Sequence, residues 1–250
     1  MKKLKNSPFT VFQKEVKDEP YDIRLVDQFK IIIAGGSSSG KSVLTKRIID
    51  NADSLMKSPP KCIFIFYQLW QPLYDQIRQD SSIPVKFIQG APGEEDIDNV
   101  IHHPVKPCLL VLDDMQGSIN RSINSLFEVH SHHANISCIM NVQNIFAKNI
   151  RDCSLNTNYI FLTKSPRDQT QIFHLARQMQ PSKGSNLVKI FQEATRKPFG
   201  YLQIDLSQGC PEFLRYRSNI FPDEQPVKCW ILEDEMTNYI LRNNDEESAI

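Results

Sequence analysis

The feature that most constrains the fold of this chain is a segment rich in glycine and serine at residues 35–42, which reads GGSSSGKS. It matches the pattern GxxxxGK[ST]. An apolar run at residues 29–34 precedes it, and a segment with apolar residues at helical spacing, residues 43–49, follows it. The segment is therefore predicted to lie between a β-strand and an α-helix, as a phosphate-binding loop requires. The alternative is a plain surface loop, which would not need that context.

Each residue type in this segment has a chemical reason. Glycines and small serines let successive backbone N–H groups turn inward around the α and β phosphates, and the N-terminus of the following helix adds partial positive charge. Lys41 is predicted to reach the β and γ phosphates, and the Ser42 hydroxyl is predicted to join the ligands of a Mg²⁺ ion. The predicted nucleotide-binding residues are Gly35, Gly36, Ser37, Ser38, Ser39, Gly40, Lys41 and Ser42.

A second motif is an apolar run that ends in two carboxylates. Residues 108–112 read CLLVL and are followed by Asp113 and Asp114. Because the carboxyl ends of parallel strands meet at one edge of a sheet, we expect both carboxylates beside the phosphate-binding loop. Asp113 is predicted to hold the Mg²⁺ ion, usually through water, and Asp114 to orient and deprotonate the attacking water. The two motifs together favour nucleotide hydrolysis over binding alone.

Gln143 follows a third apolar run, ISCIMNV at residues 136–142. A glutamine at the end of a parallel strand can contact the γ phosphate and sense its presence. A turn that merely ends the strand explains the residue equally well, and both interpretations stay open.

Length and composition favour one α/β domain in a reducing compartment. A chain of 250 residues can bury one substantial core, and its net charge of +0 argues neither for nor against nucleic acid. The six cysteines show no CxxC pair and no metal-ligand spacing, so they predict an intracellular protein with free thiols. His102 and His103 are interpreted as solvated loop residues, and the histidines at 130, 132 and 133 as residues of a helix end rather than ligands. We see neither a signal peptide nor a run of about 18 apolar residues.

The run of elements predicts a three-layer α/β P-loop NTPase domain with a largely parallel central sheet, since continuous apolar strands are typical of sheets covered on both faces. We expect a flexible N-terminal arm at residues 1–27, the nucleotide-binding domain at 28–222 and an acidic tail at 223–250. Residues 146–202 are basic, which fits either a phosphate-facing surface or a solvated mixed surface. Further strands are predicted at 62–66, 85–88, 159–162 and 199–204, and helices at 118–133, 166–180 and 186–194.

Several segments in the same order carry a resemblance to a known family. Over roughly residues 29–206 the chain resembles the viral genome-packaging ATPases of the FtsK and HerA superfamily, in the poxvirus-type branch found in large DNA viruses and Polinton-like elements. The first two motifs are common to many ATPases, and the later runs carry the specific part of the resemblance. The matching segments are GGSSSGKS at 35–42, LLVLDD at 109–114, HHANISCIMNVQNIF at 132–146, RDCSLNTNYIFLTKSPRDQTQIFHLARQMQP at 151–181 and FGYLQIDL at 199–206.

The resemblance implies a motor that hydrolyses ATP with Mg²⁺ and threads double-stranded DNA into a preformed capsid as a ring of identical subunits. It implies capsid proteins as partners, and a location at a viral assembly site, in the host nucleus or cytoplasm, or on the virion. In such rings one subunit's arginine stabilises charge on the γ phosphate in its neighbour's site. Arg151 is the first candidate for this role, with Arg121 and Arg167 in reserve.

The sequence departs from the family pattern at two places. Asp114 stands where related motors often have Glu, and residues 127–131 lack the basic residue often found there. Two other functions stay open: a different DNA translocase or helicase-like enzyme, which the sequence separates poorly from a packaging motor, and an ATP-binding assembly scaffold without sustained hydrolysis, which Asp114 in place of Glu favours. A GTPase is disfavoured because no NKxD sequence occurs, and a small-molecule kinase because paired carboxylates at a strand end are more typical of hydrolases.

Overall fold

A computed structural model describes residues 2–3, 11–16, 21–130, 133–166, 169–181 and 184–232. The strands in these residues are β1 (Lys2–Lys3), β2 (Val11–Val16), β3 (Lys30–Ala34), β4 (Cys62–Tyr67), β5 (Val85–Gln89), β6 (Cys108–Asp113), β7 (Ile136–Val142), β8 (Tyr159–Thr163), β9 (Tyr201–Asp205), β10 (Tyr216–Ser218) and β11 (Val227–Leu232). The α-helices are α1 (Lys41–Asp50), α2 (Ala52–Leu55), α3 (Pro72–Asp80), α4 (Glu94–Ile101), α5 (Arg121–Ser125), α6 (Arg151–Leu155), α7 (Thr170–Met179) and α8 (Gly184–Ala194). Among the described residues, no helix is long and apolar enough to cross a lipid bilayer.

A parallel sheet forms the centre of the first compact unit, residues 22–168. Its strands lie in the order β8–β3–β7–β6–β4–β5, and every neighbouring pair is parallel. The central strands β3, β6 and β7 are buried along their whole length. Apolar strands such as these have no polar face for solvent, so they require cover on both sides of the sheet.

The strand order places helices on both faces of this sheet. The chain moves in one direction across the sheet from β3 to β4 to β5, and then in the reverse direction from β5 through β6 and β7 to β8. Because such crossovers are almost always right-handed, α1 and α3 cover one face while α4, α5 and α6 cover the other. Contacts between α1 and α3, and between α4 and α5, agree with this assignment. The predicted three-layer α/β fold with a parallel sheet is confirmed.

The second compact unit, which takes its described residues from 1–21 and 169–250, contains an antiparallel sheet and the contacting helices α7 and α8. The strand order is β1–β2–β11–β10–β9. This division differs from the boundaries predicted at residues 27 and 223, because β2 lies in the predicted arm and β11 in the predicted tail. The two strands pair across more than 200 residues of sequence, from Val16 opposite Val227 to Val11 opposite Leu232. Such remote pairing leaves no local sequence signal.

The helix predicted over residues 118–133 is divided into three pieces: a 3₁₀ turn at Gln116–Ser118, α5, and a π-helix at Leu126–His130. Lys30 explains how the π-helix is tolerated, because its buried Nζ donates to the carbonyl of Phe127 at 2.7 Å. Burial lowers the pKa of this lysine. Of the three histidines predicted near the helix end, His133 is exposed, while the side chain of His130 and the whole of His132 lie outside the described residues.

Other helices and strands begin or end a few residues away from their predicted positions. The helix predicted at 166–180 begins at Thr170, the helix predicted at 186–194 begins at Gly184, and the strand predicted at 199–204 spans Tyr201–Asp205. The 3₁₀ segments outside the helical region discussed above are Lys148–Ile150, Glu212–Leu214 and Pro222–Glu224.

A buried ion pair in the antiparallel unit yields the first prediction. Arg217 Nη2 donates to Asp205 Oδ2 at 2.8 Å, and the two side chains are 3% and 9% exposed. Asp205→Ala would leave the guanidinium buried without its partner, so we expect the free energy of unfolding to fall by about 3–5 kcal/mol. Urea unfolding followed by circular dichroism measures this loss.

The matched control is Asp22→Ala, which breaks an ion pair with Arg24 whose side chains are 40% and 48% exposed. Solvent screens such a pair, so its loss is expected to cost less than about 1 kcal/mol. Equal losses in the two variants would contradict the prediction.

Candidate nucleotide-binding site

The loop at residues 35–40 joins the end of β3 to the start of α1, as predicted. Gly40 precedes the helix with φ of 93°, and Ser38 has φ of 58°, so the loop turns through left-handed conformations. Gly35 passes so close to β8 that a Cβ atom on it would lie 2.0 Å from Thr163 Oγ1. Ser39 Oγ and Thr163 Oγ1 also share a hydrogen bond of 2.7 Å. Contact with β8 thus holds the backbone of the loop in place and requires glycine at position 35.

Lys41, the first residue of α1, is almost completely buried and folds back over the loop. Its Nζ donates to the carbonyl oxygens of Gly35 (2.9 Å) and Gly36 (2.8 Å). Burial lowers the pKa of this lysine, while the nearby carboxylates of Asp114 and Asp113 act in the opposite direction. Phosphate oxygens in the loop would offer the ammonium group stronger partners than two carbonyls do.

Asp113 is the centre of a buried hydrogen-bond network, with 4% of its surface exposed. Ser42 Oγ donates to Oδ1 at 3.1 Å, Asn141 Nδ2 donates to the same oxygen at 2.8 Å, and the Tyr74 hydroxyl donates to Oδ2 at 2.7 Å. A buried carboxylate needs such partners to avoid a large desolvation cost. The three donors also fix the orientation of the carboxylate relative to the loop.

Tyr74 and Asn141 are members of this network that the sequence analysis missed. Asn141 lies directly opposite Asp113 in the pairing of β6 with β7, and its Nδ2 also lies 3.0 Å from Thr45 Oγ1. An amide side chain within the apolar run ISCIMNV was a signal that could have found it. Tyr74 comes from α3, and no local pattern distinguishes it from a residue that merely packs in the core.

The Tyr74 ring is held by other aromatic rings as well as by its hydroxyl. Its centroid lies 5.3 Å from that of Tyr67, 5.5 Å from that of Trp70 and 5.7 Å from that of Phe87. Burial, followed by the charge of Asp113, raises the pKa of the Tyr74 hydroxyl. The group is therefore a hydrogen-bond donor to Asp113 throughout the physiological pH range.

Asp114 and Gln143 meet at the exposed edge of the site. Asp114 has φ of 56°, a left-handed conformation that Asp tolerates better than most residues. Gln143 Nε2 lies 3.4 Å from Asp114 Oδ1, the outer limit of a hydrogen bond. The structure thus brings together, beside the loop, the two residues that the sequence assigned to the attacking water and to the γ phosphate.

The candidate arginines lie at different places. Arg151 is exposed at the first residue of α6, and its guanidinium has no ion-pair partner among the described residues. Arg121 is exposed at the first residue of α5. Arg167 lies outside the described residues. Within the part of the chain that the structure describes, neither arginine forms a hydrogen bond or an ion pair with the loop residues.

The oxygens of Ser42 and Asp113 fit a Mg²⁺ ion. Adjacent ligands of an octahedral Mg²⁺ ion with bonds of 2.0–2.1 Å lie about 2.9 Å apart. Ser42 Oγ and Asp113 Oδ1 are separated by 3.1 Å, so they can occupy two adjacent positions with little movement. Water and phosphate oxygens would supply the other ligands.

No family model and no curated protein matches this sequence. Among solved structures, EssC (ATPases 2 and 3) from Geobacillus thermodenitrificans is 12% identical and covers 59% of this chain with a TM-score of 0.43. EccC (ATPases 2 and 3) from Thermomonospora curvata, in complex with a signal sequence peptide, is 13% identical over 55% of this chain with a TM-score of 0.34. The cytoplasmic domain of the type VII secretion ATPase EccC from the same organism is 14% identical over 57% with a TM-score of 0.37. The matches cover only 34%, 30% and 20% of those chains, and similarity this low does not bear on activity.

The network around Asp113 yields the second prediction. Tyr74→Phe removes one donor to a buried carboxylate and keeps the aromatic packing, so we expect the free energy of unfolding to fall by about 1.5–3 kcal/mol. Tyr67→Phe is the matched control, because it changes a neighbouring ring whose hydroxyl has no hydrogen bond to Asp113. Urea denaturation measures both variants, and a Tyr74→Phe protein as stable as the control would show that the hydroxyl does not hold Asp113.

Proposed function

We propose that this chain is a P-loop ATPase that uses ATP hydrolysis to move double-stranded DNA into a preformed capsid. The observation that carries the ATPase part is the placement of Asp113. Three donors hold its carboxylate so that Oδ1 lies 3.1 Å from the hydroxyl of Ser42, the residue that follows Lys41 at the start of α1. The DNA-packaging part rests on the resemblance of residues 132–146, 151–181 and 199–206 to viral packaging ATPases.

In this proposal the loop binds the phosphates of ATP. Backbone N–H groups of residues 35–42 surround the α and β phosphates, and Lys41 exchanges its two carbonyl partners for phosphate oxygens. A Mg²⁺ ion bound with the nucleotide neutralises charge that develops on the phosphates. Ser42 and Asp113 would hold that ion, and Tyr74 and Asn141 would keep the Asp113 carboxylate in position.

Asp114 would accept a proton from the attacking water. Its side chain is exposed beside the loop, which suits a group that must take and release protons. Gln143 contacts Asp114 at 3.4 Å, so a γ phosphate that engages the same amide would change the contact with the base. Gln143 can in this way sense whether the nucleotide has been hydrolysed.

We propose a ring of identical subunits in which Arg151 completes the site of the next subunit. Arg151 is exposed, close in sequence to Gln143, and its guanidinium forms no ion pair within the described residues. Lys148 and Lys164 are also exposed on the parallel-sheet unit and could neutralise DNA phosphates. The further partners are capsid proteins, and the location would be a viral assembly site, the host nucleus or cytoplasm, or the virion.

Asp114 also supports a second candidate function, an ATP-binding assembly scaffold without sustained hydrolysis. The side chain of Asp is one methylene shorter than that of Glu, and its amide contact with Gln143 competes with a water molecule for the same oxygen. A different DNA translocase or helicase-like enzyme would share the site and differ in its partners.

Steady-state ATP hydrolysis, measured with and without double-stranded DNA, tests the proposal. We expect Mg²⁺-dependent turnover that DNA stimulates, and a decrease in kcat of about 10²- to 10³-fold in Lys41→Ala because a charge that stabilises the transition state is lost. Lys46→Ala is the control on the same helix, since Lys46 pairs with Asp50 and Asp80 outside the site. ATP binding without turnover would favour the scaffold, and wild-type turnover in Lys41→Ala would refute the site.

Mixing two inactive variants tests the shared site. An arginine that acts on the γ phosphate is worth about 10³- to 10⁵-fold in kcat, so Arg151→Ala should be nearly inactive. In a mixed ring, some interfaces join the intact loop of an Arg151→Ala subunit to the intact Arg151 of a Lys41→Ala subunit. Partial activity should therefore return. If Arg121→Ala abolishes turnover while Arg151→Ala does not, the assignment to Arg151 is wrong.

A further inference from the structure

Two thiols and an imidazole converge at the edge of the parallel sheet opposite to the candidate nucleotide-binding site. Cys62 is the first residue of β4 and Cys108 the first residue of β6, and the two lie directly opposite each other in neighbouring strands. His103 comes from the connection between α4 and β6. Ligand atoms of the three side chains lie within 4.8 Å of one another.

The spacing in sequence hid this cluster. Cys62 and His103 are 41 residues apart, and Cys62 and Cys108 are 46 residues apart, so neither pair resembles a short metal-binding motif. Our interpretation of His103 as a solvated loop residue is corrected: it is half-buried, and its ring packs edge-on against Phe64 with centroids 5.2 Å apart. Parallel strand pairing brings the two cysteines together.

The donor atoms surround a common point. Cys62 Sγ lies 2.9 Å from Cys108 Sγ and 3.5 Å from His103 Nδ1. The carbonyl oxygen of Val105 lies 3.4 Å from Cys62 Sγ, 3.1 Å from Cys108 Sγ and 3.1 Å from His103 Nδ1. These five separations between donor atoms are all 2.9–3.5 Å. Two sulfurs bonded to one tetrahedral zinc ion lie about 3.8 Å apart, so the thiols would separate by about 0.9 Å on binding.

The imidazole is poised to act as a ligand. His103 Nδ1 lies 3.3 Å from the backbone nitrogen of Val105 and 3.1 Å from the carbonyl oxygen of the same residue, so each tautomer has a partner, and metal binding would select the one with the lone pair on Nδ1. A metal ligand requires that lone pair. Neighbouring His102 differs, because it is exposed and its Nδ1 faces Asp98 on its own helix.

We propose that Cys62, His103 and Cys108 bind a thiophilic metal ion, zinc in the first place, with the Val105 carbonyl or a water molecule as the fourth ligand. Two thiolates and an imidazole form a donor set that Zn²⁺ prefers. A disulfide between the two cysteines is the competing explanation, but it would give no role to the imidazole and the carbonyl that face the same point.

The metal would serve as a structural link. It would attach the connection between α4 and β6 to the start of β4. Without a metal, His103 contacts β4 through the Cys62 thiol and the Phe64 ring. Cys108 and Asp113 are the two ends of β6, about 16 Å apart at the rise of a β-strand, so the metal would not touch the nucleotide. Metal binding can therefore be measured whether or not the protein hydrolyses ATP.

Titration of the reduced, metal-free full chain with Co²⁺ tests the proposal. We expect one equivalent per chain to give tetrahedral d–d absorption and a thiolate-to-cobalt charge-transfer band, and Zn²⁺ to displace the Co²⁺. The charge-transfer band separates this site from Ser42 and Asp113, which carry no sulfur. Cys62→Ser should lose at least half of the band's intensity, because one of the two thiolates is removed. His103→Ala should bind at least about 100-fold more weakly, because loss of a direct ligand exceeds the 10- to 100-fold cost of losing a partner of a ligand.

Three controls and a thermal measurement make the result decisive. His102→Ala changes a neighbouring histidine, and Cys210→Ser changes a cysteine of the antiparallel unit. Both proteins should bind Co²⁺ as the wild type does, as should the Lys41→Ala protein. A zinc-selective chelator should lower the Tm of the zinc-loaded wild type but not that of His103→Ala. Three outcomes would each overturn the proposal. They are no binding of Co²⁺ by the folded, reduced wild type, equal binding by His103→Ala and His102→Ala, and a Cys62–Cys108 disulfide in a protein that takes up no cobalt after reduction.

Discussion

The candidate site depends on one buried carboxylate. The Asp113 carboxylate is buried, and Ser42, Asn141 and Tyr74 each donate a hydrogen bond that offsets the cost of removing it from water. These donors come from α1, β7 and α3, so the network joins the helix that follows the glycine-rich loop, the central sheet and a covering helix. A shift of any of these elements would move the carboxylate away from the Ser42 hydroxyl, and the two oxygens would no longer fit one ion.

Close backbone approach provides a second constraint at the same edge. Gly35 has no room for a side chain beside Thr163, and Asp114 adopts a left-handed backbone conformation where the chain leaves β6. Such features cost conformational energy and tend to persist where function requires them. The contacts of β3 with both β7 and β8 hold this edge in place.

Sequence reasoning succeeded where a pattern is local and failed where contacts are remote. The loop between β3 and α1, the strand ending at Asp113 and the position of Gln143 after β7 follow from short motifs whose spacing the backbone geometry dictates. Tyr74 looked like any core residue, and the cysteines at 62 and 108 showed no ligand spacing, because only pairing between strands brings such residues together. The helix expected at 118–133 ends in a π-helix whose Phe127 carbonyl accepts a hydrogen bond from Lys30, nearly a hundred residues earlier, and no local pattern reveals that contact.

By itself the sequence determined the class of fold, the place of the glycine-rich loop between β3 and α1, and the two carboxylates at the end of β6, because hydrophobic periodicity and glycine chemistry act over a few residues. The tertiary structure alone decided which donors hold Asp113, how β2 and β11 pair, and that two thiols meet an imidazole at the opposite edge of the sheet. Those contacts depend on strand order and register, which join residues that the linear sequence keeps far apart.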